Sequence, residues 1–222
     1  MITQLTDSCY AISNPVSKQY LLSSNGLWIL IDTGLLVWQK PFLEEVRKVI
    51  PGAECLSAIL ITHSDADHFG GAAYIRKQTG AKVYASEIET LAIRKGQMSR
   101  KLRPKWYEKP FYWASSILIS AEPVPVDGIL KHGNLAFENS GLDVINTPGH
   151  TPGHVSFYWR SERILFAGDS IKKGRHGKPI PSSGANTWSA KKAERSFNEQ
   201  MALQPVLIAC GHALFDFREN TP

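Results

Sequence analysis

Short apolar runs and amphipathic stretches follow one another along most of the chain. Seven apolar runs predict buried strands, at residues 27–31, 58–62, 82–84, 142–145, 155–159, 163–167 and 206–209. Four stretches predict helices, at residues 41–50, at 70–78, from Ser86 onwards and at 188–203. Strands that alternate with helices in this way are typical of an α/β protein, here with a sheet and helices in each half of the chain.

One segment interrupts this order. Residues 96–120 are rich in basic and aromatic side chains, including Trp106, Tyr107 and Trp113. Some of its apolar positions have helical spacing, which favours a helix packed on the core, and a lid that contacts a substrate is the alternative. The sequence therefore predicts a single domain over residues 1–222, with a lid insertion at 96–120.

The composition is that of an ordinary globular protein, but its charge is unevenly distributed. Hydrophobic residues make up 43% and charged residues 20% of the 222 residues, and the formal net charge is +5. Basic residues concentrate at 94–109 and again at Lys172, Lys173, Arg175 and Lys178. Such clusters attract anionic small molecules or nucleic acid, and a solvated basic face has the same composition.

Cysteine usage and the apolar runs point to a reducing compartment. Cys9, Cys55 and Cys210 are an odd number without C-x-x-C spacing, so no disulfide framework is indicated. The first residues lack the pattern of a signal peptide, and no apolar run has the length of a membrane span. We therefore expect a cytoplasmic protein that does not interact with a membrane.

Residues that can bind metal ions follow several of the predicted strands. Four of them lie within the six residues His63-Ser64-Asp65-Ala66-Asp67-His68, and three more occur beside glycines after later apolar runs. The complete candidate set is His63, Asp65, Asp67, His68, His150, Asp169 and His212. Seven donors suffice for two divalent cations that share a bridging carboxylate.

Other interpretations of these residues are weaker. A calcium-binding EF-hand loop starting at Asp65 fails, because Phe69 and Arg76 stand where oxygen ligands are needed. His132, His154 and His176 lack the strand-end context and receive no metal role. Since neighbouring side chains point apart in a regular helix or strand, the segment that carries Asp67 and His68 is expected to be an irregular loop.

The motifs in this order resemble those of the metallo-β-lactamase superfamily, in particular its glyoxalase-II-like hydrolase branch. The matching elements are the loop at 63–68, Thr147-Pro148-Gly149-His150, Gly168-Asp169, Gly211-His212 and Asp32-Thr33-Gly34. The resemblance implies an αβ/βα four-layer sandwich, in which two sheets lie face to face with helices outside. It also implies two divalent ions, with zinc as the expected metal.

The resemblance assigns a role to each of these residues. His63, Asp65 and His150 would hold the first metal, and Asp67, His68 and His212 the second, with Asp169 as the bridge. Asp67 would also act in catalysis by orienting the attacking water. Asp32 would lie behind the ligands and orient them.

Asp65 departs from the family pattern, which has a second His at this position. An additional carboxylate makes the centre less positive, so that it activates water less strongly and shifts the metal preference towards Mn or Fe. We therefore expect weaker selectivity for zinc, and Asp65→His should raise zinc retention. A similar His-x-Asp-x-Asp-His loop occurs in the superfamily domain of competence-type DNA-uptake proteins.

The sequence thus favours a metal-dependent hydrolase that uses a metal-bound hydroxide on an ester, thioester or lactone. Its substrate is expected to be a small anionic molecule, bound in part by Lys172, Lys173 and Arg175. A phosphodiesterase or nuclease is an alternative, with nucleic acid as a less favoured partner. A mononuclear iron persulfide dioxygenase and a binding module without catalysis are the others.

Overall fold

The computed structural model describes residues 1–100, 121–137 and 139–218. The helices are α1 (Gln39–Arg47), α2 (Ala66–Phe69), α3 (Ala72–Thr79), α4 (Glu87–Ile93) and α5 (Ala190–Met201). The strands of the first half are β1 (Ile2–Thr6), β2 (Cys9–Ser13), β3 (Lys18–Ser24), β4 (Leu27–Ile31), β5 (Leu56–Leu60), β6 (Lys82–Ser86) and β7 (Gly128–Leu130). The later strands are β8 (Leu142–Asn146), β9 (Val155–Trp159), β10 (Ile164–Gly168), β11 (Ile171–Lys173), β12 (Pro179–Pro181), β13 (Leu207–Cys210) and β14 (Leu214–Asp216). Two 3-10 turns, at Leu36–Trp38 and Ala53–Cys55, complete the described elements.

The strands form two main sheets and a hairpin. The first sheet has the order β1-β2-β3-β4-β5-β6-β7, antiparallel up to β4 and parallel from β4 to β7. The second has the order β14-β13-β10-β9-β8, and only its β10–β13 pair is parallel. β11 and β12 pair with each other as a separate two-stranded sheet.

Three apolar clusters hold these elements in four layers. Ile29 and Ile31 of β4 belong to the cluster that also contains Phe157 and Phe166 of the second sheet. Leu30, which points to the opposite face of β4, belongs to a cluster with side chains of α1 and α3. A third cluster lies on the outer face of the second sheet beside α5. The predicted αβ/βα sandwich is confirmed, and burial on both faces explains why β4 is a continuous apolar run.

Most predicted elements are present with shifted ends, and one local expectation was wrong. The strand predicted at 27–31 is β4, and the helix predicted at 188–203 is α5, Ala190–Met201. The irregular loop expected around Asp67 and His68 is instead one helical turn, α2. Both side chains still reach one site, since His68 Nε2 lies 3.8 Å from Asp67 Oδ2.

Two further predictions concern the chain as a whole. Residues 101–120, the larger part of the expected lid, lie outside the described residues, so the single domain with a lid at 96–120 stays a prediction. Within the described ranges, no helix has the length and apolar character needed to cross a bilayer.

Candidate metal centre

The seven candidate ligands converge where strands of the two sheets end. His63 follows β5, Asp169 follows β10 and His212 follows β13, each within three residues of the strand end. His150 lies four residues beyond β8, and Asp65 precedes the α2 turn that carries Asp67 and His68. The sequence-predicted site residues are therefore brought together by the fold.

The donor atoms lie at distances suited to metal coordination. His150 Nε2 is 3.1 Å from Asp65 Oδ2 and 3.5 Å from Asp169 Oδ2. His212 Nε2 is 3.3 Å from Asp169 Oδ1 and 3.4 Å from an oxygen of Asp67. Tetrahedral donors about 2.1 Å from a common ion would be about 3.4 Å apart, which these spacings match.

The donors fall into overlapping groups, each with ligand atoms within 4.8 Å of one another. There are three such groups among the described residues. The first is His63, Asp65 and His150, the second is Asp67, His68 and His212, and the third is His63, His68 and Asp169. We call the first group the first half of the centre, and Asp67, His68, His212 and Asp169 Oδ1 the second half. The other oxygen of this carboxylate, Asp169 Oδ2, faces His150 of the first half.

All four histidines present Nε2 to the centre, because each Nδ1 is engaged elsewhere. The Nδ1 partners are Thr62 Oγ1 for His63 at 2.9 Å, Asp32 Oδ2 for His68 at 2.7 Å, Ser182 Oγ for His150 at 3.0 Å, and the Val16 carbonyl for His212 at 2.7 Å. A carbonyl or carboxylate oxygen can only accept, so Nδ1 of His212 and of His68 carries the proton. The tautomer that results leaves Nε2 free to bind a cation.

Asp32 fixes two of these histidines at once. Its Oδ1 accepts from the backbone N–H of Thr62 at 2.9 Å, and its Oδ2 accepts from the Thr62 hydroxyl at 2.8 Å and from His68 Nδ1. Because the Thr62 hydroxyl donates to Asp32, it accepts from His63. Asp32 itself has a φ of 59°, a left-handed conformation that Asp tolerates better than most L residues.

The residues present fit a divalent cation, because several inward donors have no other partner. Among the described residues, His63 Nε2, His68 Nε2 and Asp169 Oδ1 are buried side-chain atoms without a hydrogen bond. Buried polar atoms normally have hydrogen-bond partners. Three neighbouring nitrogen and oxygen atoms with free lone pairs are therefore suited to bind a cation.

The charges around the centre favour a cation in the second half. Burial lowers the pKa of His150 to about 4, so this ring is neutral near pH 7 and keeps its lone pair. Burial acts in the same direction on His68, but the charges of Asp32, Asp67 and Asp169 outweigh it and hold the pKa of His68 well above its usual range. The surplus of negative charge around His68 would attract a metal ion as it attracts a proton.

Glu89, which sequence reasoning placed only at the start of a helix, ties the loops of the centre together. Its buried carboxylate accepts from Ser64 N–H at 2.9 Å, from Gly153 N–H at 3.0 Å and from the hydroxyls of Ser64, Ser99 and Thr151. These donors belong to the loop at 63–68, to the loop after His150 and to the segment after α4. No pattern in the sequence distinguishes this glutamate from its exposed neighbour Glu87.

Arg100 is the second residue that the sequence did not single out. It appeared only as one member of the basic group at 94–109, yet its side chain is buried beside Asp65 and His150. Its guanidinium forms a two-point ion pair with Asp65, with Nη2 donating to Oδ2 at 2.8 Å and Nη1 to Oδ1.

The remaining candidates belong to none of the ligand groups described above. His154 uses both ring nitrogens, since Nε2 accepts from the Asp169 N–H at 3.1 Å and Nδ1 bonds the Thr147 hydroxyl at 2.8 Å. Lys172, Lys173 and Arg175 lie on the β11–β12 hairpin, and among the described residues none of the three forms an ion pair. Their role in binding a substrate stays a prediction.

Comparison with known proteins agrees with this geometry. A family model of the metallo-beta-lactamase superfamily matches residues 16–212. The probable metallo-hydrolase YflN of Bacillus subtilis (strain 168) is 26% identical over 207 residues, covering 84% of this chain and 75% of that protein. A hydroxyacylglutathione hydrolase of Fuscovulum blasticum is 26% identical over 163 residues, covering 72% of this chain and about half (50%) of that protein.

A solved structure shows the same fold. A metallo-beta-lactamase with a HARLDQ motif from Cronobacter sakazakii superposes with a TM-score of 0.72 at 21% identity, covering 95% of this chain and 77% of that one. The family match spans most of the sequence and confirms the resemblance found in the sequence. The chain therefore belongs to the metallo-beta-lactamase superfamily.

Proposed function

We propose that this protein is a metal-dependent hydrolase whose substrate is an ester, thioester or lactone. The observation that carries the proposal is the convergence of seven His and Asp donors around buried atoms without hydrogen-bond partners. Relatives named metallo-hydrolase and hydroxyacylglutathione hydrolase support this class of reaction. Zinc remains the expected metal, and a divalent cation bound here would lower the pKa of a coordinated water and polarise the substrate oxygen.

The residues of the open side have the clearest roles in such a reaction. The side chains of His212 and Asp67 are 40% and 21% exposed, whereas those of His63, His68 and His150 are almost fully buried. A substrate can therefore approach from the side of Asp67 and His212. There the carboxylate of Asp67 would accept a hydrogen bond from the attacking water and orient it towards the scissile carbon.

A hydrolysis panel tests the proposal directly. The protein would be supplied with Zn²⁺, Mn²⁺ or Fe²⁺ and assayed with an aryl ester, a hydroxyacylglutathione thioester, a lactone and an aryl phosphodiester. We expect turnover of at least one carbonyl substrate, a loss of at least about 100-fold with Asp67→Asn, and no loss with the exposed control Asp7→Asn. A protein that binds metal but hydrolyses none of these compounds would contradict the proposal.

Phosphodiester hydrolysis is a second candidate, favoured by the position of the β11–β12 hairpin. This hairpin begins two residues after Asp169 and carries the cations Lys172, Lys173 and Arg175, which form no ion pair within the described part of the chain. Cations at this place could hold a phosphate near the centre. Turnover restricted to the phosphodiester, and lost when the three cations are replaced by Gln, would select this candidate.

A further inference from the structure

Arg100 reaches into the first half of the centre. Its Nη2 lies 2.8 Å from Asp65 Oδ2 and 3.3 Å from His150 Nε2, the two donor atoms that are themselves 3.1 Å apart. The guanidinium therefore uses the same carboxylate oxygen and faces the same ring nitrogen that a metal ion in this half would need. A second positive charge at these atoms would be repelled by the first.

This arrangement is enclosed and fully bonded. The Arg100 side chain is only 3% exposed, and its Nε donates to the Asn186 carbonyl at 3.0 Å. A buried arginine is stable only when it is paired, and the two-point contact with a carboxylate is the geometry that suits a guanidinium best. Arg100 is thus a constituent of the interior rather than a surface residue.

The backbone beside Arg100 is attached to the metal-binding loop itself. Ser99 N–H donates to Ser64 Oγ at 2.8 Å, and Ser99 Oγ donates to Glu89 at 3.0 Å. Ser64 directly precedes Asp65, so two adjacent residues of one segment contact two adjacent residues of the other. Glu89, which holds the loops of the centre, also places Arg100.

The unpartnered atoms show the same asymmetry between the two halves. In the first half His63 Nε2 has no hydrogen bond, but the carboxylate of Asp65 has Arg100 as its partner. In the second half both His68 Nε2 and the carboxylate oxygen Asp169 Oδ1 have none among the described residues. The charge of Asp65 is balanced by Arg100, whereas among the described residues no arginine pairs with Asp67 or with Asp169, whose Oδ1 faces the second half. A cation is therefore bound more strongly in the second half.

We propose that Arg100 is a built-in cation of the first half, which balances Asp65 in place of a metal ion and restricts tight metal binding to the second half. This inference rests on the metal centre of the proposed function and changes its expected occupancy from two tightly bound ions to one. It also gives Asp65 a purpose that a His at this position could not serve, since an imidazole cannot form the two-point pair with a guanidinium.

Metal stoichiometry tests the proposal without any substrate. Apoprotein prepared with a chelator would be titrated with Zn²⁺ by calorimetry, and bound zinc would be counted by elemental analysis after gel filtration. We expect one tightly bound ion per wild-type chain and a second that binds at least about tenfold more weakly. In Arg100→Gln, the second ion should bind at least about tenfold more tightly than in the wild type. The control Arg195→Gln removes the same charge from an exposed ion pair and should leave both affinities unchanged.

Two results would overturn this assignment. One is a wild-type chain that binds two ions with equal affinity, and the other is an Arg100→Gln variant with unchanged second-site affinity. Should Arg100→Gln not fold, Arg100→Met removes the charge from a side chain of similar length, and unchanged second-site affinity there would also count against the proposal. Failure of hydrolysis by a protein that holds one tight zinc contradicts the proposed function but not the role of Arg100.

Discussion

Glu89 is the point at which a conservative change should disturb the centre most. In Glu89→Gln, one carboxylate oxygen becomes an amide NH₂ group that can only donate. The backbone N–H groups of Ser64 and Gly153 bond different oxygens of Glu89, at 2.9 and 3.0 Å, and neither can reverse its direction. Whichever way the amide turns, one buried N–H group faces another donor.

The magnitude follows from these contacts. A buried donor left without a partner costs about 1–3 kcal/mol, and the remaining bonds lose the strength that the negative charge gave them. We therefore expect Glu89→Gln to lower the free energy of unfolding by about 2–4 kcal/mol. Equilibrium urea unfolding of the metal-free protein, followed by tryptophan fluorescence, measures this quantity without a contribution from bound metal.

Glu87→Gln is the matched control, since Glu87 is exposed in the first turn of the same helix. It should change the free energy of unfolding by at most about 0.5 kcal/mol, through the helix dipole alone. Equal unfolding free energies for the two variants would refute the view that Glu89 holds the loops of the centre.

Three further variants follow from the same contacts. Asp32→Asn should weaken zinc binding by about 10–100-fold, because His68 loses its anionic hydrogen-bond acceptor. A zinc affinity within a factor of about two of the wild type, measured by competition with a chelator, would contradict this expectation. Gly211→Ala should lose zinc yet keep its circular dichroism spectrum, because a Cβ at this position would lie 2.4 Å from His68 Cε1. An unchanged zinc content would contradict this, since it would mean that His68 can move aside and still bind the metal. Asp65→His alone should lower the free energy of unfolding by about 3–5 kcal/mol because it leaves Arg100 buried without a carboxylate, and adding Arg100→Gln should recover most of the loss. Urea unfolding decides the last case, and a fully stable single variant would count against it.

The candidate ligands could be predicted because they lie in loops that follow apolar strands. The apolar runs in the sequence show where these strands end. His150, Asp169 and His212 follow such ends, each directly after a glycine. The layers of the sandwich were predicted correctly from the resemblance of these motifs. The candidate ligands and the fold were both inferred from short stretches of sequence, in which strand ends and motifs can be recognised directly.

Glu89 and Arg100 could not be predicted, because their importance arises from contacts between distant segments. Glu89 joins residues up to 64 positions away, and Arg100 meets the Asn186 carbonyl 86 positions further along the chain. In the sequence, one is an ordinary residue of an amphipathic helix and the other belongs to a basic run. The prediction for Asp65 was incomplete for the same reason, since its neutralising partner lies 35 residues away.

The central claim is that the convergent His and Asp side chains hold a divalent cation. Elemental analysis of the purified protein after dialysis against metal-free buffer tests it most directly, with Asp169→Asn and the exposed control Asp7→Asn measured alongside. We expect at least one divalent ion per chain in the wild type and in Asp7→Asn, and a loss of most of it in Asp169→Asn, whose carboxylate serves both halves of the centre. A wild-type chain that retains no divalent metal and takes up none on titration would contradict the account.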